Sequence, residues 1–168
     1  MTRYRKISAT IIAAISLSLA AMSAPAVAAG PYYGGLSLGS SELQDCNNNC
    51  TDTGVKISGG YQVNPNLAVE IAYADLGKFG NNLRASALGL YAVGKLPVAN
   101  HFSLLGRVGI NNAQLKGGGN SDSNLELGYG IGASYALTPT VDLRGEWERY
   151  KFDALDASLF SVGLAMKF

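Results

Sequence analysis

A single histidine, two cysteines and a charged fraction of only 15% leave this 168-residue chain poorly equipped for metal or acid–base chemistry. A catalytic zinc needs three ligands from His, Cys or carboxylate on one site; the lone His101 and one cysteine pair fall short, and no cofactor is expected. The net charge of +1 gives no footprint for nucleic acid. After residue 29 no apolar run approaches the ~20 residues a membrane helix needs. Glycine is what the chain has in quantity, 21 residues scattered along its length.

The first residues are a separate segment. Arg3, Arg5 and Lys6 precede an apolar run over 7–22, and Ala26-Val27-Ala28 supplies a small-x-small cleavage pattern. This is the layout of a secretory leader, so residues 1–29 are expected to be removed and residues 30–168 to form one domain. Losing those three cations leaves 10 basic against 12 acidic residues, a charge of about −2. An exported chain without a second apolar helix is periplasmic, secreted, or a membrane barrel. In such a compartment Cys46 and Cys50 are expected to form a disulfide around a small loop, with a metal site as the alternative.

Apolar and polar residues then alternate in runs with a period of two, the mark of strands with one greasy face. The runs fall at 32–39, 55–63, 67–73, 83–93, 102–110, 125–137, 141–150 and 157–168, and Phe160, Val162, Leu164, Met166 and Phe168 share the apolar face of the last. In 83–93 the pattern is ambiguous, and a register with Arg84, Ser86, Leu88 and Leu90 inside and Tyr91 and Val93 outside is taken. Between the runs lie alternately tight turns, such as Asn64-Pro65-Asn66 and Thr138-Pro139-Thr140, and long polar stretches such as 40–52 and 111–124. Short turns on one side and long loops on the other are expected of an eight-stranded antiparallel transmembrane β-barrel. Tyr32, Tyr61, Tyr91, Phe102, Tyr135 and Phe168 would ring one interface, and Tyr73, Tyr129, Trp147 and Phe160 the other.

With these residues in view, the chain resembles the small outer-membrane barrels of the OmpA transmembrane-domain and OmpX type. The resemblance is carried by Gly59-Gly60-Tyr61 before the Asn-Pro turn, Asn66-Leu67-Ala68-Val69-Glu70, Lys95-Leu96-Pro97, Gly130 to Tyr135, Arg144-Gly145-Glu146 and the closing Phe168. It implies an all-β barrel in the cell outer membrane, and a terminal strand, Phe160 to Phe168, read by the barrel-assembly machinery. The sequence stops at Phe168, so the cell-wall-binding domain that follows the barrel in longer relatives is not expected.

The polar strand faces place Glu70, Arg107, Arg144 and Glu146 at similar depth inside, where charges survive only when paired. An interior salt-bridged network is therefore expected, with a gated narrow ion path as the alternative. His101-Phe102-Ser103 resembles the His-x-Ser of lipid A deacylases, but it falls in a turn on the wrong side of the membrane, and catalysis is not expected. Arg149, two residues beyond Trp147 on the outward face, and Lys151 are placed to meet a lipopolysaccharide phosphate. The functional expectation is a monomeric structural or surface-interaction protein. Its partners would be outer-membrane lipid, the assembly machinery and ligands met by the loops; a low-conductance channel is the second reading and a lipid A-modifying enzyme the third.

Overall fold

Each strand of this chain has one face that must avoid water and another that must avoid lipid, and a closed sheet satisfies both at once. A computed structural model describes residues 30–43, 51–79, 83–117, 120–151 and 156–168. The expected leader, 1–29, and Cys46 and Cys50 lie outside the described residues. Eight strands run in chain order: β1 (Tyr32–Leu43), β2 (Thr51–Asn64), β3 (Leu67–Phe79), β4 (Leu83–Pro97), β5 (Phe102–Gly117), β6 (Asn120–Ala136), β7 (Val141–Lys151) and β8 (Asp156–Lys167). Every neighbour is antiparallel, and β8 pairs with β1, so the sheet closes into a barrel with no open seam between first and last strands. Closure hydrogen-bonds the backbone where no water is available to do so.

The side-chain distribution is inverted relative to a water-soluble domain. Leu36, Ile57, Ile71, Leu90, Val108 and Ile131 are exposed, whereas Lys56, Glu70, Arg107, Glu146 and Glu148 are buried. Four or five outward apolar positions per strand make a belt about 20 Å tall at ~3.3 Å per residue and ~40° tilt. The turn at Pro65-Asn66 and the segments 98–101 and 137–140 close one end of the barrel, the end to which both β1 and β8 bring the chain.

Two expectations need correction. The register of β4 is the reverse of the expected one: Ala85, Ala87, Gly89, Tyr91 and Val93 face the lumen, and Arg84, Leu88 and Leu90 face outward. Tyr91 is therefore no girdle residue; its ring lies against Gly89, Gly109 and Gly128, which leave it room inside. The polar stretch 111–124 is also largely strand, since β5 and β6 pair from Asn112↔Leu125 out to Gly117↔Asn120. Beyond the lipid nothing requires an apolar face, so the alternation stops while the hydrogen-bonded ladder continues.

Candidate functional site

The lumen is where this fold gathers its chemistry. Tyr33, Gly60 and Glu70 are successive partners across β1, β2 and β3, and Gly60 has no side chain to keep the outer two apart. The Tyr33 hydroxyl accordingly donates to Glu70 Oε2 at 2.9 Å. Arg107, Gly130 and Glu148 repeat the arrangement across β5, β6 and β7, and there the guanidinium and carboxylate meet as an ion pair. In each case a glycine acts as a spacer between two long polar residues.

From these two contacts a chain of alternating charge can be followed across the barrel. Glu146 pairs with Lys56, Lys56 with Glu148 at 3.0 Å, Glu148 with Arg107, Arg107 with Glu70 at 3.2 Å, and Glu70 with Arg144 at 3.2 Å. Three cations face three carboxylates, so the buried set is neutral. Arg107 stacks on the Tyr91 ring at 4.0 Å and Arg144 on Tyr33 at 4.7 Å, cation–π contacts that add to the pairing. The structure thus brings Glu70, Arg107, Arg144 and Glu146 into one chain, with Glu146 joined through Lys56. Lys56 and Glu148 complete it; both stood on polar strand faces, but only the inter-strand register shows that they reach their partners.

Closer to the turn end, Asp142 is held by both Lys95 and Lys167 at 3.3 Å. Toward the opposite end the lumen is mostly apolar, with the fully buried Ser41 hydroxyl donating to the Leu76 carbonyl at 2.5 Å. Leu76 and Leu159 are fully buried there, with Ala74, Ala85, Ala87 and Ala157 around them and Tyr150 beneath. A charged layer and an apolar layer therefore fill the lumen in series.

Replacing Gly130 tests the spacer role. An added Cβ would lie 2.7 Å from the Trp147 carbonyl oxygen, 3.0 Å from Glu148 Cγ and 3.2 Å from Arg107 Cγ. Gly130→Ala should therefore destabilise the barrel by about 1–3 kcal/mol through overpacking, read as a lower urea midpoint in lipid bilayers. An unchanged midpoint would show that the charge chain yields easily at this point.

The other predicted groups are placed as follows. His101 is exposed in its turn, its ring 6.0 Å from that of Tyr135, whereas Ser103 is buried in the lumen; the structure does not bring them together. Arg149 lies on the outward side of β7 and pairs with Asp156 at 3.0 Å, and Lys151 is exposed at the strand's end. Phe160, Val162 and Phe168 are exposed on the outer face of β8.

Comparison with known proteins agrees with this inverted barrel. The outer membrane protein beta-barrel domain matches residues 11–168, nearly the whole chain. The chain belongs to this family. It is 30% identical to outer membrane protein A of Shigella flexneri, over 92% of this chain and 54% of that protein; it thus spans about half the length of that relative. Among solved structures, Neisserial surface protein A superimposes with a TM-score of 0.67 at 21% identity, covering 84% of this chain and all of that one. The attachment invasion locus protein Ail of Yersinia pestis gives 0.54 at 18% identity, over 81% and 98%. These two likenesses show the fold. As a member of the outer-membrane barrel family, the protein belongs to the outer membrane.

Proposed function

We propose that the protein is a structural barrel of the outer membrane that makes its contacts through its outward rim and loops, and not through a pore or a catalytic centre. The observation that supports this is the doubly filled lumen. An ion entering from the periplasm would meet the neutral chain of six paired charges and then the Leu76–Leu159 layer, an apolar constriction of the kind that excludes water. Eight-stranded barrels have interiors that side chains can fill, and here they do. The proposed partners are the lipid and lipopolysaccharide of the outer leaflet, approached by Arg149 and Lys151, the assembly machinery during insertion, and external ligands reached by the loops. A leader over 1–29 and a Cys46–Cys50 disulfide belong to the same reading, as features of an exported, monomeric chain.

A narrow channel is the second reading. Lys56 holds two carboxylates at once, so one of its pairs could break while the other keeps the charge matched. Planar-bilayer recording of the refolded protein separates the two. No steady ohmic conductance above the leak is expected at moderate voltage. A stable small conductance in the wild-type protein, lost when Leu76 or Leu159 is replaced by a bulkier side chain, would favour the channel instead.

A further inference from the structure

At the turn end of the barrel, two cations converge on one anion. Lys95 comes from β4 and Lys167 from β8, strands opposite one another in the closed order. Both ammonium groups nevertheless reach the same oxygen, Asp142 Oδ2, at 3.3 Å. Asp142 is buried, and among the described residues it is the one carboxylate with which either lysine pairs. A single lysine would make this tier neutral, as the neighbouring chain of paired charges is. With two ammonium groups against one carboxylate the tier carries a net charge of +1, where unmatched charge is costly.

The donors here are also underused. A charge-assisted N–H···O bond closes to about 2.7–2.9 Å, and both lysines stop short of that. An ammonium has three N–H donors, and among the described residues each lysine donates its own to Asp142 alone. Arg144 lies beside them, and among the described residues its buried Nε–H has no acceptor. All three cations line one recess of about 20 Å³, enough for a water-sized group. The lysine side chains are about a quarter exposed, so solutes can reach it. Val93 and Leu105, both buried, line the same recess. A hydrated inorganic ion gains nothing from such apolar walls, whereas hydrocarbon attached to a carboxylate does. A divalent anion would exceed the excess charge and stand against Asp142.

We propose that this mouth of the barrel binds a short aliphatic monocarboxylate, a solute site beyond the rim and loop contacts proposed above. The single charge of the ligand matches the excess of the tier, and its hydrocarbon lies on Val93 and Leu105. Asp142 holds the two lysines in place and, by its own charge, keeps the site weak.

The test is a butyrate titration of the barrel in zwitterionic lipid nanodiscs at constant ionic strength, with labelled lysine Cε observed by NMR. The Lys95 and Lys167 resonances, identified through Lys95→Arg and Lys167→Arg, should follow one saturating curve while that of the exposed Lys78 stays still. Butyramide, uncharged and of the same shape, should move neither. Lys95→Gln removes the excess charge and should weaken binding about five-fold, the upper end for a partly exposed ion pair. Asp142→Asn adds to the excess and should strengthen binding by a similar factor, whereas a merely structural cluster would gain nothing from it. Linear shifts of all lysines alike, or equal affinity for chloride, would overturn the proposal. So would a folded Asp142→Asn barrel that binds butyrate no more tightly than wild type. Heat-modifiable migration is scored for each variant, and Lys167→Gln replaces Lys95→Gln if the latter does not fold.

Discussion

Glu70→Ala is expected to lose about 3–5 kcal/mol of stability, the cost of breaking a buried pair and leaving its cation uncompensated. Glu70 is 1% exposed and holds Arg107 and Arg144 at once, while also accepting from Tyr33. Removing it converts a neutral set of six charges into one with a net positive charge, sealed between strands. Arg107 retains Glu148, but Arg144 loses the one carboxylate with which it pairs among the described residues. Glu70→Gln keeps the shape and an acceptor for Tyr33, and should fall between the alanine variant and wild type. Urea unfolding in bilayers gives these values. A double-mutant cycle of Glu70→Ala with Arg144→Met should show coupling of more than about 1 kcal/mol, as contacting residues in one network do. Strict additivity would mean that the lumen is wet enough to screen the pair.

The parts of this fold that were legible in the sequence are those in which a strand declares itself alone. β8 alternates without interruption, and Phe160 and Val162 of its apolar face are exposed on the outside of the barrel. β4 could not be read this way. Both of its alternate sets, Arg84-Ser86-Leu88-Leu90 and Ala85-Ala87-Gly89-Tyr91-Val93, contain residues acceptable to lipid. The choice depends on space supplied by other strands: Gly109 and Gly128, from β5 and β6, are what allow Tyr91 to lie inside. Arg84 offers no guidance either, because it lies above the lipid, where an outward charge costs little.

The same distinction applies to the charge chain. That Glu70, Arg107, Arg144 and Glu146 turn inward follows from local alternation. That Lys56 bridges Glu146 and Glu148 depends on closure of the barrel, which brings β2 and β7 to face each other across the lumen, where its ammonium pairs with both. The glycine spacers explain why register matters so strongly. Tyr33 reaches Glu70 past Gly60, and a shift of two residues in β2 would set Ser58 or Gln62 between them.

Removing Phe168 should separate two roles that a terminal aromatic residue could have. If its role is only to finish the sheet, the loss is small. Phe168 donates its backbone N–H to the Tyr32 carbonyl at 3.0 Å, worth about 1 kcal/mol net, and its ring is 57% exposed toward lipid. The preceding Lys167 remains paired with Asp142 and hydrogen-bonded to the Thr140 carbonyl at 2.8 Å, so β8 stays in place. The deleted protein, refolded in vitro, should therefore lose only about 1–2 kcal/mol in urea unfolding. If the outward row Phe160, Val162, Leu164, Met166 and Phe168 is also read during assembly, the effect in cells should be far larger: folded barrel in the outer membrane should fall by more than about tenfold, with the remainder periplasmic or degraded. A stability loss of that size leaves a typical barrel almost wholly folded, so it cannot produce such a fall by itself. Near-normal amounts of heat-modifiable barrel in the outer membrane after deletion would remove the recognition role and leave Phe168 as one more residue of the aromatic girdle.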